Sequence, residues 1–155
     1  MVLNMQFRYS FNHPRSVVWR HLQDEQVLQR TLPGCKRLQS RADGAFDAEL
    51  GLDVGPIKGM FSGEVRLLEQ VEPEHYRLLL LGSGKPGELH ADSLVSLIET
   101  NAGTEIECAA DIQVTGLLAS VGQRVMGSVA RMLLGRFFKN VDDDMKTNAS
   151  LELPQ

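Results

Sequence analysis

The chain has 155 residues, of which 43% are hydrophobic and 23% charged, and only six are prolines. This length suits one domain with a self-sufficient core, and the composition excludes a disordered or repetitive chain. The formal net charge of −4 argues against a nucleic-acid-binding protein, because such proteins use a basic excess to displace counterions.

The N-terminus and the cysteines indicate a cytoplasmic protein. The first residues, MVLNMQFRYS, lack the basic start and the apolar stretch of a signal peptide, and no segment reaches the roughly 18 apolar residues of a membrane span. Cys35 and Cys108 lie far apart, and neither belongs to a C-x-x-C pair. We interpret them as reduced, packed thiols rather than as a disulfide framework.

The N-terminal segment begins with the clearest local pattern in the sequence. Over Leu3–Phe11, apolar residues alternate with polar ones, which predicts a strand with one buried and one solvent-facing side. Asn12 offers an N-cap and Pro14 suits a first helical turn, so a helix is predicted to follow. Asp24 is the predicted N-cap of a second, short helix that must end before Pro33.

The region from Cys35 to Val114 is predicted to form antiparallel strands joined by turns. The turn residues are Gly55-Pro56, Pro73-Glu74, Gly82–Gly87 and Asn101–Gly103. The last strand has the most regular alternation, with Ile106, Cys108 and Ile112 on the predicted inner face.

The final element is a predicted helix from Leu117 to about Met145. On a helical wheel its apolar side chains span about 220°, whereas an ordinary surface helix needs about 100°. A curved sheet wrapped around the helix explains this width. The predicted fold class is therefore α+β with a helix-grip order: about seven antiparallel strands curve around a long C-terminal helix, and two short helices follow strand 1. Residues 1–146 form the predicted single domain, and residues 147–155 form a tail.

No catalytic or metal-binding motif stands out. Gly82–Gly87 matches G-x-G-x-x-G, but a dinucleotide site needs a following helix, and Pro86 with the strand after it removes that helix. The nucleophile motif G-x-S-x-G is absent. The histidines show no ligand spacing: His13, His21, His75 and His90. We expect no metal and no cofactor.

Three separated blocks resemble one known family. The segment from His21 to Cys35 contains L-x-D-x-x-x-L-x-x-x-x-P-G-C, and Gly55–Gly63 reads G-x-x-K-G-x-F-x-G. The third block is Gly116–Arg124, with Phe137-Phe138 after it. Together they are similar to the CoxG family of carbon monoxide dehydrogenase subunits, which belongs to the START-like (SRPBCC) helix-grip superfamily, over about residues 3 to 146.

The resemblance implies an accessory protein of molybdenum hydroxylases of the carbon monoxide dehydrogenase type. It implies binding of a lipophilic molecule, such as an isoprenoid quinone, and an association with the inner face of the membrane. Many members continue past the last helix with a linker and an apolar tail, whereas this sequence ends at Gln155. The apolar tail, which would serve as a built-in membrane anchor, is thus the part of the family pattern that this sequence does not match.

Two functional classes fit a helix-grip cavity. The first is a non-catalytic carrier or docking module, which we favour. The second is an enzyme of the cyclase or dehydratase kind, which needs a polar group with a tuned pKa inside the cavity. The predicted inner face offers Tyr9 and Cys108, and leaves Ser62 and Ser93 open.

An apolar pocket between the long helix and the sheet is the predicted ligand site. Glycines beside the helix, such as Gly122, leave room for it. The predicted ligand-binding residues are Phe7, Tyr9, Leu50, Phe61, Ile112, Leu118, Val121, Gly122, Val125 and Met132. The predicted docking loop at the pocket mouth consists of Val54, Ile57, Lys58 and Met60, because these turn residues are unusually apolar. The alternative is that Val54 and Ile57 fold onto the core.

Overall fold

The computed structural model describes the backbone of residues 1–152 and the side chains of residues 1–147. Seven strands, three α-helices and a 3₁₀ helix follow one another in this range. They are β1 (Val2–Phe11), α1 (Arg15–Gln23), α2 (Glu25–Thr31), β2 (Cys35–Ser40), β3 (Phe46–Val54), β4 (Ile57–Val71), β5 (His75–Gly84), β6 (Gly87–Glu99), β7 (Thr104–Val114), the 3₁₀ helix (Gly116–Val121) and α3 (Gln123–Glu152). The predicted helix-grip order is confirmed.

The strands form one curved antiparallel sheet in the order β1-β7-β6-β5-β4-β3-β2. Alternation within each strand sends apolar residues to one face, and the register aligns them across strands. Leu97 stands opposite Ile106, and Val95 stands opposite Cys108, with all four buried. This concave face carries the core, and α3 packs over it.

The starts of the two short helices match the sequence only in part. The Asp24 side chain accepts hydrogen bonds from the backbone N–H groups of Gln26 and Val27, so the predicted N-cap of α2 is confirmed. The predicted cap at Asn12 is wrong. Helix α1 begins at Arg15 after Pro14, and no side chain caps it.

The predicted single helix from Leu117 is interrupted. A 3₁₀ helix ends at Val121, and Gly122 adopts φ +90° and ψ 158°, outside helical geometry. Helix α3 begins at Gln123 and continues to Glu152, past the predicted start of the tail. Residues 153–155 lie outside the described residues. The last helical region is therefore two helices at different angles.

The core divides into two packed clusters. One surrounds Trp19 and Phe138 beneath the short helices, and the other surrounds Ile57 and Leu118 near the start of α3. Three apolar residues pack against both clusters and are only partly buried: Phe7, Leu80 and Leu134. Apolar surface at the boundary between the clusters is therefore only partly covered.

The two edge strands of the sheet are β1 and β2. On β1, the Val2 carbonyl accepts a hydrogen bond from the Gln123 side chain at 2.8 Å, and the Gln6 carbonyl accepts one from Arg131 at 3.1 Å. On β2, the register shifts after Cys35, and the strand has six residues. Side chains of α3 thus cover part of the β1 edge.

Candidate functional site

Helix α3 is seated toward one side of the concave face. Besides Arg131 on the Gln6 carbonyl, Asp142 accepts a hydrogen bond from the Tyr9 hydroxyl at 3.3 Å. Apart from β1, the helix contacts chiefly α1, α2 and the 3₁₀ helix. The concave face of β3, β4 and β5 is therefore covered less closely than that of β1.

Apolar side chains on this less covered half stay partly exposed, although the register directs them inward. Leu80 stands opposite the buried Val65, and Leu78 stands opposite Leu67. On the facing side, Leu133 of α3 is also only partly buried. We give the name apolar cleft to these inward, partly exposed surfaces. It is lined by Leu50, Leu52, Leu67, Leu78, Leu80, Leu133 and Leu134, all of intermediate exposure.

Gly82 leaves open space in this cleft. It continues the inward series of β5 two residues after Leu80, and an added Cβ there would meet only the Leu89 carbonyl oxygen, at 4.0 Å. The neighbouring Gly63 differs, because a Cβ there would lie 2.6 Å from the Leu81 carbonyl oxygen. Open space therefore lies beside Gly82, whereas close strand packing requires the glycine at position 63.

Seven predicted ligand-binding residues lie on the inner side of the protein. They are Phe7, Tyr9, Leu50, Phe61, Ile112, Leu118 and Val121. Of these, Leu50 lines the cleft and Phe7 borders it through the contacts it shares with both core clusters. Their role in ligand binding stays a prediction.

The structure places three other predicted residues differently. Val125 and Met132 are 41% and 40% exposed, so neither is enclosed in the core, and their role in ligand binding stays a prediction. They lie about one helical turn before and after the buried Val129, along the edge of the buried face of α3 that is farther from β1. Gly122 belongs to no helix, and an added Cβ would meet nothing within 4 Å.

The predicted docking loop is also corrected. Val54 and Ile57 are 5% and 4% exposed, because they pair directly across a two-residue turn and both face the core. Lys58 and Met60 remain exposed, Met60 at 56%, and Leu117 of the 3₁₀ helix is 72% exposed. We use the name turn end for residues 55–60, 84–87 and 116–121, where these side chains lie.

Three polar side chains lie inward on neighbouring strands. Cys108 of β7 and Ser93 of β6 are 4% and 5% exposed, and Tyr76 of β5 is 2% exposed. Ser62 is exposed on the outer face opposite Ser83, so of the two serines left open only Ser93 is internal. Tyr76 was not among the predicted inward residues, because the run of leucines after it hides the alternation of β5.

The electrostatics of these groups favour neutral hydrogen bonding over proton transfer. Burial raises the pKa of Cys108 to about 11, against a smaller lowering by its hydrogen bond with Ser93. Burial, with a smaller effect of Cys108, raises the pKa of Tyr76. Both groups therefore stay protonated at neutral pH.

A carboxylate and a histidine do meet elsewhere in the interior. The Asp142 carboxylate lies 3.3 Å from His13 Nε2, and both side chains are more than four-fifths buried. Burial, followed by the charge of Asp142, raises the pKa of Tyr9, whose hydroxyl bonds this carboxylate. The group lies on the β1 flank of α3, and no described carboxylate or imidazole lines the apolar cleft.

Two hollows formed by the described residues lie away from the cleft. One, of about 160 Å³, is on the outer face of β1, β7 and β6 around Leu94 and Glu107. The other, of about 250 Å³, is an open groove between His13 and the β6–β7 turn. An enclosed pocket between α3 and the sheet stays a prediction, for which the structure provides a partly uncovered apolar surface.

Within the described residues, no three His, Cys, Asp or Glu side chains are grouped in a way that would hold a metal ion. No helix there is both long enough and apolar enough to cross a membrane.

Sequence comparison supports one family. Residues 8–146 match the model of the CoxG family of carbon monoxide dehydrogenase subunits. A search of curated proteins gave no significant match.

Solved structures share the fold over nearly the whole chain. A conserved protein from Geobacillus kaustophilus has a TM-score of 0.87 at 26% identity, covering 95% of this chain and 96% of its own. The Zhui aromatase/cyclase from a Streptomyces species has a TM-score of 0.71 at 11% identity and covers 96% of each chain. The di-domain aromatase/cyclase StfQ of steffimycin biosynthesis has a TM-score of 0.71 at 9% identity, over 96% of this chain and 52% of its own. At such identities the two enzymes show the fold alone.

Proposed function

Because the chain belongs to the CoxG family of carbon monoxide dehydrogenase subunits, we propose that it is a non-catalytic accessory protein that holds a lipophilic small molecule. The molecule occupies the apolar cleft between α3 and the concave face of β3, β4 and β5. A quinone-like molecule, with an apolar tail and a flat ring, suits the apolar lining and the few neutral polar groups of this site.

The observation that carries the proposal is the set of inward leucines that stay partly exposed. Apolar surface left in contact with water costs about 25 cal/mol for each Å². Inward residues such as Leu78 and Leu80 would be fully covered if α3 packed evenly over the sheet. A bound apolar ligand covers them, and its burial supplies the free energy of binding.

The partner we propose is a molybdenum hydroxylase of the carbon monoxide dehydrogenase type. The family name supports an association with that enzyme. The exposed Met60 and Leu117 at the turn end offer an apolar contact surface. We further propose that the protein works in the cytoplasm, and that the turn end touches the inner face of the membrane peripherally.

A second candidate is an enzyme of the cyclase or dehydratase kind acting in the same cleft. The fold shared with two aromatase/cyclases favours it. The chemistry of the cleft favours the carrier, because its polar groups are hydroxyls and a thiol that stay protonated, whereas such enzymes use an acid or base with a tuned pKa. Recovery of the added ligand chemically unchanged separates the carrier from the enzyme.

Gly82→Leu tests the cleft. The leucine should fill the open space above Gly82 and reduce ligand retention at least tenfold, while the strand tolerates it. The measurement is native mass spectrometry of the gently purified protein, with organic extraction and identification of whatever co-purifies. Ser83→Leu is the matched control, since it adds the same side chain to the outer face of the same strand.

Equal ligand retention by a folded Gly82→Leu variant and by the Ser83→Leu control would place the ligand outside the cleft. A wild-type protein that retains no small molecule and binds no added apolar probe would contradict the proposed function.

A further inference from the structure

The hydroxyl of Tyr76 is an internal hydrogen-bond donor without a partner among the described residues. The tyrosine is 2% exposed, and the Trp19 ring packs against it edge-on at 5.5 Å. The fully enclosed polar atoms without a hydrogen bond in the described part of the chain belong to Arg15, Gln23 and the close His13–Asp142 pair. The hydroxyl of Tyr76 is not among them, so the small surface that Tyr76 exposes includes this oxygen.

A donor in this position is unusual in a folded protein. Buried polar groups are nearly always hydrogen-bonded to protein or ordered water, because an unpaired one loses its hydration without compensation. Burial also keeps this phenol protonated, so it acts as a donor throughout the physiological pH range. A hydroxyl of this kind is available to a ligand.

Tyr76 lies on the same inward face of the sheet as the apolar cleft, and its hydroxyl is close enough to the Cys108 thiol to interact with it. Tyr76 is the first inward residue of β5, and Leu78, Leu80 and Gly82 follow it on the same face. Trp19 of α1 closes the cleft beyond Tyr76. Ser93, opposite Leu78, places a second buried hydroxyl beside this inner end.

We infer that the ligand of the apolar cleft carries a hydrogen-bond acceptor oxygen, such as a ring carbonyl, that pairs with the Tyr76 hydroxyl at the inner end. The inference rests on the proposed function and specifies the ligand class. The apolar body of the ligand lies along Leu78 and Leu80, and Tyr76 selects for the carbonyl. A pure hydrocarbon of the same shape leaves the donor unpaired and binds more weakly.

Two probes of nearly equal shape separate these contributions. Duroquinone has two ring carbonyls, and durene has the same methylated ring without them. Binding of duroquinone is followed by quenching of Trp19, the single tryptophan of the chain, and durene is measured by displacement. We expect Tyr76→Phe to weaken duroquinone about tenfold, the loss of one hydrogen bond, and to leave durene unchanged.

The stability of the unliganded protein gives an independent readout. Tyr76→Phe removes an unpaired hydroxyl and keeps the ring on Trp19, so its Tm should equal or exceed that of the wild type. Thr104→Val is the matched control: its hydroxyl donates to the His13 carbonyl at 2.8 Å, so its loss should lower the Tm without changing affinity for either probe.

The outcomes distinguish the inference from the proposed function. If both probes bind the wild type and Tyr76→Phe binds duroquinone equally well, the inference is wrong and the carrier function stands. A Tm for Tyr76→Phe as low as that of Thr104→Val would show that the hydroxyl already has a partner, and would also overturn the inference. If neither probe binds the wild type, the proposed function fails, and the inference fails with it.

Discussion

Cys108 lies deep in the core, where its thiol is near the hydroxyls of Ser93 and Tyr76. Burial disfavours the thiolate and raises the pKa of Cys108 from about 9 to about 11. The unfolded chain therefore releases this proton above pH 9, whereas the folded protein keeps it up to about pH 11. The free energy of unfolding should decrease with rising pH across this window.

The predicted size of this decrease is about 1.4 kcal/mol for each pH unit, the value for one proton. Urea denaturation at pH 8.0, 8.8 and 9.5 follows the first part of this decrease, before the tyrosines of the unfolded chain, with a pKa of about 10, are half ionised. Cys108→Ala should flatten the profile, whereas Cys35→Ala, at a partly exposed site, should keep most of it. A wild-type profile that is already flat over this range would contradict the predicted pKa.

Individual residues differ in how far the sequence predicts their position. Tyr9 and Cys108 belong to strands with strict alternation, and their inward placement is confirmed. Tyr76 begins a strand in which four consecutive leucines interrupt the alternation, although the polar His75 and Arg77 on either side of it were a local signal that it faces inward. The register against β6, where it stands opposite the buried Val95, confirms this side.

At the scale of elements, the junction before α3 shows where periodicity is misleading. A single wheel for the apolar residues from Leu117 to Val141 predicts an arc of about 220°. The break at Gly122 interrupts the helical periodicity. Leu118 is therefore buried as part of the 3₁₀ helix, and Met126 as part of α3. Leu117 and Val125 are left exposed. A helical wheel cannot detect such a break, because it assumes one axis.

We predict that alanine destabilises the protein at Gly122 and stabilises it at Gly127. The φ of +90° and ψ of 158° at Gly122 lie in a region essentially reserved for glycine, so Gly122→Ala should cost about 1–3 kcal/mol of stability. Gly127 is helical with open space at its Cβ, so Gly127→Ala should gain up to about 1 kcal/mol. Chemical denaturation of both variants checks this. An unchanged midpoint for Gly122→Ala would mean that the junction tolerates a continuous helix.

At the scale of the whole molecule, the turn end combines apolar and basic groups. Met60 and Leu117 are its most exposed apolar side chains, and Lys36, Lys58 and Lys85 are exposed nearby. The Lys36 and Met60 side chains both lie over Gly51, and the Pro86 carbonyl accepts a hydrogen bond from the Leu118 N–H. The rest of the chain carries the acidic excess that makes the net charge −4. The lysines of this end would attract an anionic lipid surface, with Lys58 shared by Asp53 at 3.8 Å.

The double change Met60→Ser with Leu117→Ser tests this membrane contact. Both side chains are exposed, so we expect the Tm to stay nearly constant while co-sedimentation with phosphatidylglycerol vesicles falls several-fold. Leu94→Ser is the control, because Leu94 is 50% exposed but lies on the outer face of β6. Sedimentation unchanged by the double change, or equally reduced by the control, would show that the turn end is not the contact surface.

The overall architecture could be predicted from the sequence, and the shape of the site could not. Alternation, turn residues and the cap at Asp24 are local, so the order of elements followed from them. The cleft depends on how far α3 shifts toward β1, which is decided by long-range contacts such as Arg131 with Gln6 and Asp142 with Tyr9. For the same reason the inward packing of Val54 and Ile57 was not fixed by their turn position.

The two ends of the sheet bear on how this protein can assemble. An uncovered edge strand is a template on which another chain can add a strand. Here the side chains of Gln123 and Arg131 occupy backbone acceptors of β1, while β2 is short, irregular and basic at Lys36. Growth by strand addition is thereby disfavoured at both edges. A large enzyme partner would contact this protein through side chains alone. The two proteins could then associate and separate without exchanging backbone hydrogen bonds.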